Sequence, residues 1–422
     1  MKKYTRVVWI VVVLTALVIQ APFSFVAAST GPLDLEGELK GAPYVIRVPE
    51  DWNGTLLVYA HGYSGVPVEA PDAAFGGDPV ETLLLGEGYA LAASGFQGSG
   101  WTVEDGIKDT QRLVTFFRQQ VAAPDRVILY GNSMGSVVVL KSMEKYPAYY
   151  DGAVSLCSSG AGSTGNWDMK LVQAVAYDAA FGWPAEWGDV GDVKDDINFD
   201  TEVFPKFIAE FSDPDNFGLL EFVRLVSDLP SGGYYAPAGF LGPAAIINTY
   251  LFTAGRAELE IKAGGPVAQN VDHVYSLSAE ETTYLQDLGV DVDGMLSAMN
   301  AQANISADPS ARAYLERYAD FRGQIHDPVL MVHSIEDPML PVEHTSAYLA
   351  TVTEKGNEDL LVRAYTDRVG HCNFTGEQLL ASMTALEGWL DTGTPPSDAD
   401  FPEALEFVHG FEPGPWPQPP QE

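Results

Sequence analysis

The sequence predicts an α/β protein, with a mostly parallel sheet, helices on both faces and a mainly helical insertion. Three observations carry this. Short apolar, β-branched runs alternate with amphipathic stretches toward both ends of the chain, which implies parallel strands joined by right-handed crossovers. The alternation stops between about Gly160 and Phe321 and resumes at Val329. The middle stretch carries aromatic-rich pieces separated by Gly and Pro. It therefore reads as an interruption between two strands of one sheet, rather than a second sequential domain.

Taken in order, Tyr44–Val48 and Thr55–Ala60 read as strands, the second starting after the turn signal Asn53-Gly54. Tyr89–Ser94 is a third. Over Val103–Val121, the residues Val103, Ile107, Val114 and Phe117 recur at helical spacing, and Pro124 ends the pattern. The Val-Ile-Leu run makes Arg126–Tyr130 a buried strand. Val137–Tyr146 is a helix halted by Pro147, and Ala153–Leu156 is a strand again. Gly160-Ala161-Gly162-Ser163-Thr164-Gly165 reads as a flexible exit from the sheet. Inside the insertion, Phe204–Phe211 and Phe217–Val226 read as helices. Strands Val329–His333 and Leu360–Tyr365 and a helix over Thr375–Leu390 complete the pattern. The last 30 residues hold eight prolines and read as an extended tail.

The first 28 residues form a separate unit. Lys2, Lys3 and Arg6 precede an apolar run from Val7 to Ile19, and small residues ending at Ala28 follow. This is the layout of a cleavable secretory signal; the run falls short of the roughly 20 residues a membrane anchor needs. The expected organisation is a signal over 1–28, a core over 29–159 and 322–391, an inserted cap over 160–321 and a Pro-rich tail over 392–422. The expected location is outside the cytoplasm, extracellular or periplasmic, with no stable membrane anchor after cleavage.

Of the 422 residues, 23 are Lys or Arg and 58 are Asp or Glu, a formal charge of −35 that becomes −38 without the signal. So acidic a surface excludes phosphate-tracking nucleic-acid binders and attachment to anionic membranes. Two cysteines exclude a Cys-rich zinc site but allow one disulfide. No nucleotide-binding or His-Glu-x-x-His fingerprint is present, so neither cofactor nor metal is expected. Asp291-Val292-Asp293-Gly294 resembles the start of a calcium loop without the Glu that completes it, and reads as an acidic helix-loop surface.

The sharpest signal is Gly131-Asn132-Ser133-Met134-Gly135, set between a strand and a helix. Such a turn projects its central side chain above the sheet edge, and the flanking glycines let neighbouring backbone approach. Ser133 is thus the candidate nucleophile. His61-Gly62-Tyr63-Ser64-Gly65 closes the strand Thr55–Ala60, where the amide of Tyr63 can join that of Met134 in holding an oxyanion. His61 itself reads as a loop-ordering residue. After Val329–His333 comes Ile335-Glu336-Asp337-Pro338; Asp337 is the candidate acid, with Glu336 one residue of slip away as its competitor. His371, in the loop after Leu360–Tyr365, is the candidate base. Among the seven histidines, His333 falls inside a strand and reads as core.

The order Ser133, Asp337, His371 and these surrounding motifs resemble the α/β-hydrolases over roughly residues 40–159 and 322–391. The resemblance implies an eight-stranded type of sheet, a Ser133–His371–Asp337 triad and a cap after the strand that follows the elbow helix. Gly370-His371-Cys372 also resembles secreted tannase and feruloyl-esterase relatives, in which a cysteine after the histidine bridges to one just before the serine. Asn132 stands at that second position here, so the subfamily is not assigned. Cys372 has one candidate partner, Cys157, in a bridge that would pin the histidine loop; two buried free thiols are the alternative.

These readings lead to an exported serine hydrolase cleaving carboxylic esters, monomeric or polymeric, through an acyl-enzyme. A peptidase or amidase of the same fold is the alternative, and a non-catalytic exported binding protein is the alternative of another class. Trp167, Phe181, Trp183, Trp187, Tyr234, Tyr235 and Phe240 either line a substrate cavity or pack the cap. Oligomeric state is not readable.

Overall fold

The computed structural model describes residues 32–236 and 240–417; the signal reading over 1–28 and the Phe240 side chain lie outside the described residues. The chain begins with an antiparallel pair, β1 (Leu33–Leu39) and β2 (Ala42–Val48), followed by β3 (Thr55–Ala60). Helix α1 (Asp78–Gly86) leads to β4 (Ala90–Ser94), and α2 (Val103–Gln120) to β5 (Arg126–Asn132). Helix α3 (Met134–Lys145) then leads to β6 (Gly152–Leu156). The chain leaves the sheet here and returns at β7 (Val329–Ser334).

Between them lie α4 (Gly162–Phe181), α5 (Phe204–Phe211), α6 (Phe217–Val226), α7 (Pro243–Tyr250), α8 (Arg256–Ala263), α9 (Ala279–Asp287), α10 (Val292–Ala301) and α11 (Pro309–Ala319). Two short hairpins also fall in this stretch. After β7 come α12 (His344–Glu354), β8 (Leu361–Thr366), α13 (Gly376–Thr392) and β9 (Phe407–Val408).

The nine strands lie in the order β1-β2-β4-β3-β5-β6-β7-β8-β9. From β4 through β8 every neighbour is parallel, while β2–β4 and β8–β9 are antiparallel. Strands β3, β5, β6 and β7 are buried or nearly so along their whole length, as expected for parallel strands covered on both faces. One apolar layer joins Leu56, Val58, Val127 and Leu129 to α2, α3 and the inserted helices; the other joins Leu57, Ile128, Val154 and Leu330 to α1 and α13.

Two expectations are corrected. The Pro-rich tail is not extended throughout: Phe407 and Val408 pair with β8 as a ninth strand, and Phe401 and Phe407 are buried. Burying each ring contributes about 2 kcal/mol, enough to hold a proline-rich stretch against the sheet edge. The supposed flexible exit at 160–165 instead runs directly into α4. Asp320, more than 150 residues away, supplies the missing cap, accepting from the Thr164 amide at 3.0 Å and its hydroxyl at 2.6 Å. Gly162 takes φ +75°, and a Cβ there would sit 2.7 Å from Asp320 Oδ1, so the glycine serves close approach. Asp291-Gly294, the partial calcium motif, is a helix start in which Asp291 accepts from the Gly294 amide. Among the described residues no helix is long and apolar enough to cross a membrane.

Candidate active site

Strand β5 ends at Asn132 and α3 begins at Met134, so Ser133 alone makes the turn. Its φ of 55° and ψ of −123° are strained for a residue with a side chain. Glycines make the space: a Cβ on Gly131 or Gly135 would run into the carbonyl oxygen of Ala60. The turn is held from behind. The Ser133 amide donates to the Leu156 carbonyl at 3.2 Å, and the Ser136 hydroxyl donates to the Ser133 carbonyl while accepting from the Ser159 amide at 2.9 Å. The start of α3 also aims its positive end at the Ser133 side chain.

Two loops bring the partners. His371 Nε2 lies 2.9 Å from Ser133 Oγ, and its Nδ1 lies 2.8 and 3.0 Å from the two carboxylate oxygens of Asp337. Asp337 is fully buried, and its Oδ1 accepts from the amides of Met339 at 2.9 Å and Leu340 at 3.1 Å. Burial pushes its carboxyl pKa up; the charge and hydrogen bond of His371, the nearby His333 and the Met339 amide outweigh this, and the net direction is down. An ionised Asp337 accepts a hydrogen bond from Nδ1–H of His371, which holds the proton on Nδ1 and leaves the Nε2 lone pair facing the hydroxyl. The competitor Glu336 turns its side chain elsewhere, toward Gly232, and contributes through its backbone: its carbonyl accepts from the Gly370 amide at 3.0 Å and its amide donates to Ser334 Oγ at 3.2 Å.

This arrangement, a serine at a strained strand-to-helix turn on a parallel sheet with acid and base following in that order, decides the architecture. The chain has an α/β-hydrolase fold.

The other expected groups are also located. In this fold, Gly62 comes so near the elbow that a Cβ would sit 3.1 Å from Asn132 Nδ2 and 3.5 Å from Ser133 Cβ. Tyr63 and Met134 line one cavity with Ser133 and His371, and neither amide takes part in the turn and loop hydrogen bonds around it. The Tyr63 hydroxyl donates to Glu258 at 2.7 Å, tying this loop to α8. His61 donates through Nδ1 to the Gly62 carbonyl at 2.7 Å and stacks on Phe96 at 4.1 Å, ordering the loop. His333 is buried; its Nδ1 accepts from the Ser158 amide, so its proton is on Nε2, which donates to the Leu340 carbonyl at 2.9 Å.

The cavity holds about 210 Å³. Trp101, Ile247, Leu251, Met339 and Leu340 form its apolar wall, and Lys170 and Asn166 enter it from α4. A larger cavity of about 540 Å³, against Asp168, His273 and Arg312, includes neither Ser133 nor His371. Among the described residues, Trp167, Phe181, Trp183, Trp187, Tyr234 and Tyr235 do not line the Ser133 cavity. Trp167 packs edge-on against Trp101, and Phe181, Trp183 and Trp187 cluster around Tyr177. Trp101, just before α2, lines the cavity alongside Tyr63, and its indole donates to Ser163 at 2.7 Å. Neither Trp101 nor Lys170 carries a motif that singles it out in the sequence.

Cys157 and Cys372 form a disulfide across 215 residues, with Cα atoms 5.2 Å apart. It joins the end of β6 to the residue after His371, and Cys372 Sγ lies 3.3 Å from His371 Nε2. The Asn132 amide points at the same sulfur from 3.7 Å. Replacing both cysteines by alanine is expected to cost about 2–4 kcal/mol of stability, read as a lower urea midpoint, together with a lower kcat as the histidine loop loosens. Peptide mapping of native, non-reduced protein checks the bridge; two alkylatable thiols would refute it.

No family model matches the chain. A curated o-phthalyl amidase from Xanthobacter agilis is 25% identical over 417 residues, spanning 85% of this chain and 87% of that protein. Among solved structures, an esterase from Aspergillus oryzae aligns with a TM-score of 0.42 at 15% identity, over 86% of this chain and 80% of that one. An acylaminoacyl peptidase from Pyrococcus horikoshii gives 0.41 at 11% identity, over 90% of this chain and 43% of that one.

Proposed function

We propose that this α/β-hydrolase is an exported serine hydrolase that cleaves carboxylic esters through an acyl-enzyme. The observation that carries the reading is the continuous hydrogen-bonded chain from Ser133 Oγ through His371 to buried Asp337, opening on a cavity. His371 takes the hydroxyl proton as Ser133 attacks the carbonyl carbon. The negative charge that develops on the carbonyl oxygen is held by the amides of Tyr63 and Met134. The proton then passes from His371 to the leaving alcohol, and water, activated by the same imidazole, releases the acid. The inserted segment 160–321 serves as a cap over this cavity. Export follows from the signal-like first 28 residues and agrees with a disulfide, which persists in oxidising compartments.

The second reading is cleavage of an amide. The named relative favours it, because the similarity to an amidase runs over most of both chains. The geometry serves either bond, since both pass through a tetrahedral oxyanion.

A fluorophosphonate probe is expected to add one probe mass to the peptide containing Ser133; native protein that stays unlabelled would sink the serine-hydrolase reading. A panel of short p-nitrophenyl esters against acyl and amino-acid anilides then decides the bond. Faster ester turnover supports the first reading, and a preference for the anilides supports the second.

A further inference from the structure

Lys170 is the group at this site that the reaction leaves unused. It sits on α4, is 1% exposed, and lines the same cavity as Ser133, His371 and Met134. Its ammonium donates to Asn248 Oδ1 at 2.7 Å and to the Met339 carbonyl at 3.2 Å. Both acceptors are neutral, and among the described residues Lys170 makes no salt bridge. Lys141, the other deeply buried lysine, has Glu144 at 3.3 Å. In a chain with 58 Asp and Glu, Lys170 thus lies buried with no ion-pair partner among the described residues, at the wall of the Ser133 cavity. Burying an ammonium against neutral partners is costly unless an anion joins it. Consistent with that, burial pushes its pKa down to about 7, opposed by the charge of Asp337, which is already committed to His371.

An ammonium has three N–H donors, and two are placed on Asn248 and Met339. The third remains for a ligand. The rest of the wall is largely apolar, with Trp101, Leu251 and Leu340, so one anionic group in an otherwise apolar substrate is what the cavity suits. The leaving group departs first, while the acyl group stays bonded to Ser133 until water releases it in the second half-reaction. On this reading the acyl part lies against the wall that Lys170 joins.

We propose that Lys170 is a specificity determinant that pairs with a free carboxylate on the acyl portion of the substrate, selecting half-esters or half-amides of dicarboxylic acids. This rests on the serine-hydrolase reading above and narrows it to a substrate class.

The test compares p-nitrophenyl butanoate with mono-p-nitrophenyl glutarate, or the matching p-nitroanilides if amides prove to be the better substrates. Rates are corrected for spontaneous hydrolysis. Wild type is expected to favour the glutaryl compound in kcat/KM, and Lys170→Met to shrink that ratio by roughly 30-fold or more, chiefly through KM. Lys170→Arg is expected to retain part of the preference. A wild-type preference for butanoate overturns the proposal without any variant, so a Lys170→Met protein that fails to fold leaves the question answerable. An equal loss on both substrates also overturns it, and makes Lys170 a structural bridge between α4, α7 and the loop at Met339. Absence of fluorophosphonate labelling at Ser133 is a different failure, that of the underlying reading.

Discussion

Ser133→Ala is expected to lower kcat/KM by about a million-fold on any substrate the wild type turns over, and to abolish fluorophosphonate labelling. The substitution removes one oxygen and keeps the Cβ, so the strained turn at φ 55° and its hydrogen bonds to Leu156 and Ser136 are preserved. His371 and Asp337 lose nothing of their own pairing. On the proposed mechanism, what is lost is the nucleophile and with it the acyl-enzyme. Any residual rate comes from the amides of Tyr63 and Met134 acting on attack by water, worth about a thousand-fold over the uncatalysed reaction. Unchanged circular dichroism and melting would show that the loss is chemical. A variant that retains wild-type turnover would place the chemistry elsewhere in the molecule.

The sheet and the serine were legible because both rest on local signals. Strand β3 and helices α5 and α6 are found at their expected limits, since β3 is an apolar run opened by a turn and the two helices are aromatic-rich pieces separated by Ser212-Asp213-Pro214-Asp215-Asn216. The elbow was legible because its strain demands glycines at fixed offsets from Ser133. What could not be read depends on distant partners. The start of α4 is full of glycine and serine, and its cap comes from Asp320, so locally it resembles a loop. Strand β9 lies in a proline-rich stretch and is held by two buried phenylalanines. Lys170 has the sequence context of an ordinary helix residue; its burial is set by Asn248 and Met339, which belong to other parts of the chain. The choice between Glu336 and Asp337 turned on which side of the backbone faced the cleft, and the amides of Met339 and Leu340 fix it.

That same fixing makes Asp337→Asn a sharp test of the base. The amides of Met339 and Leu340 both donate to Oδ1, so an asparagine must keep its carbonyl oxygen there and turn its amide nitrogen toward His371. That nitrogen donates, so His371 Nδ1 becomes an acceptor and the imidazole proton moves to Nε2. Nε2 then points a proton at Ser133 Oγ from 2.9 Å and has no lone pair to take the hydroxyl hydrogen. The expected result is a fall in kcat of about ten-thousand-fold with little change in KM, because the cavity wall is untouched. Nitrogen-15 NMR of the histidine ring reads the tautomer directly: Nδ1–H in wild type, Nε2–H in the variant. Glu336→Gln serves as the control and is expected to stay within a few-fold of wild type, since its side chain faces Gly232 and only its carbonyl supports the histidine loop. If Glu336→Gln fell as far as Asp337→Asn, the acid would be misassigned. If Asp337→Asn kept wild-type kcat, His371 would not be acting through the tautomer that this hydrogen-bonded chain imposes.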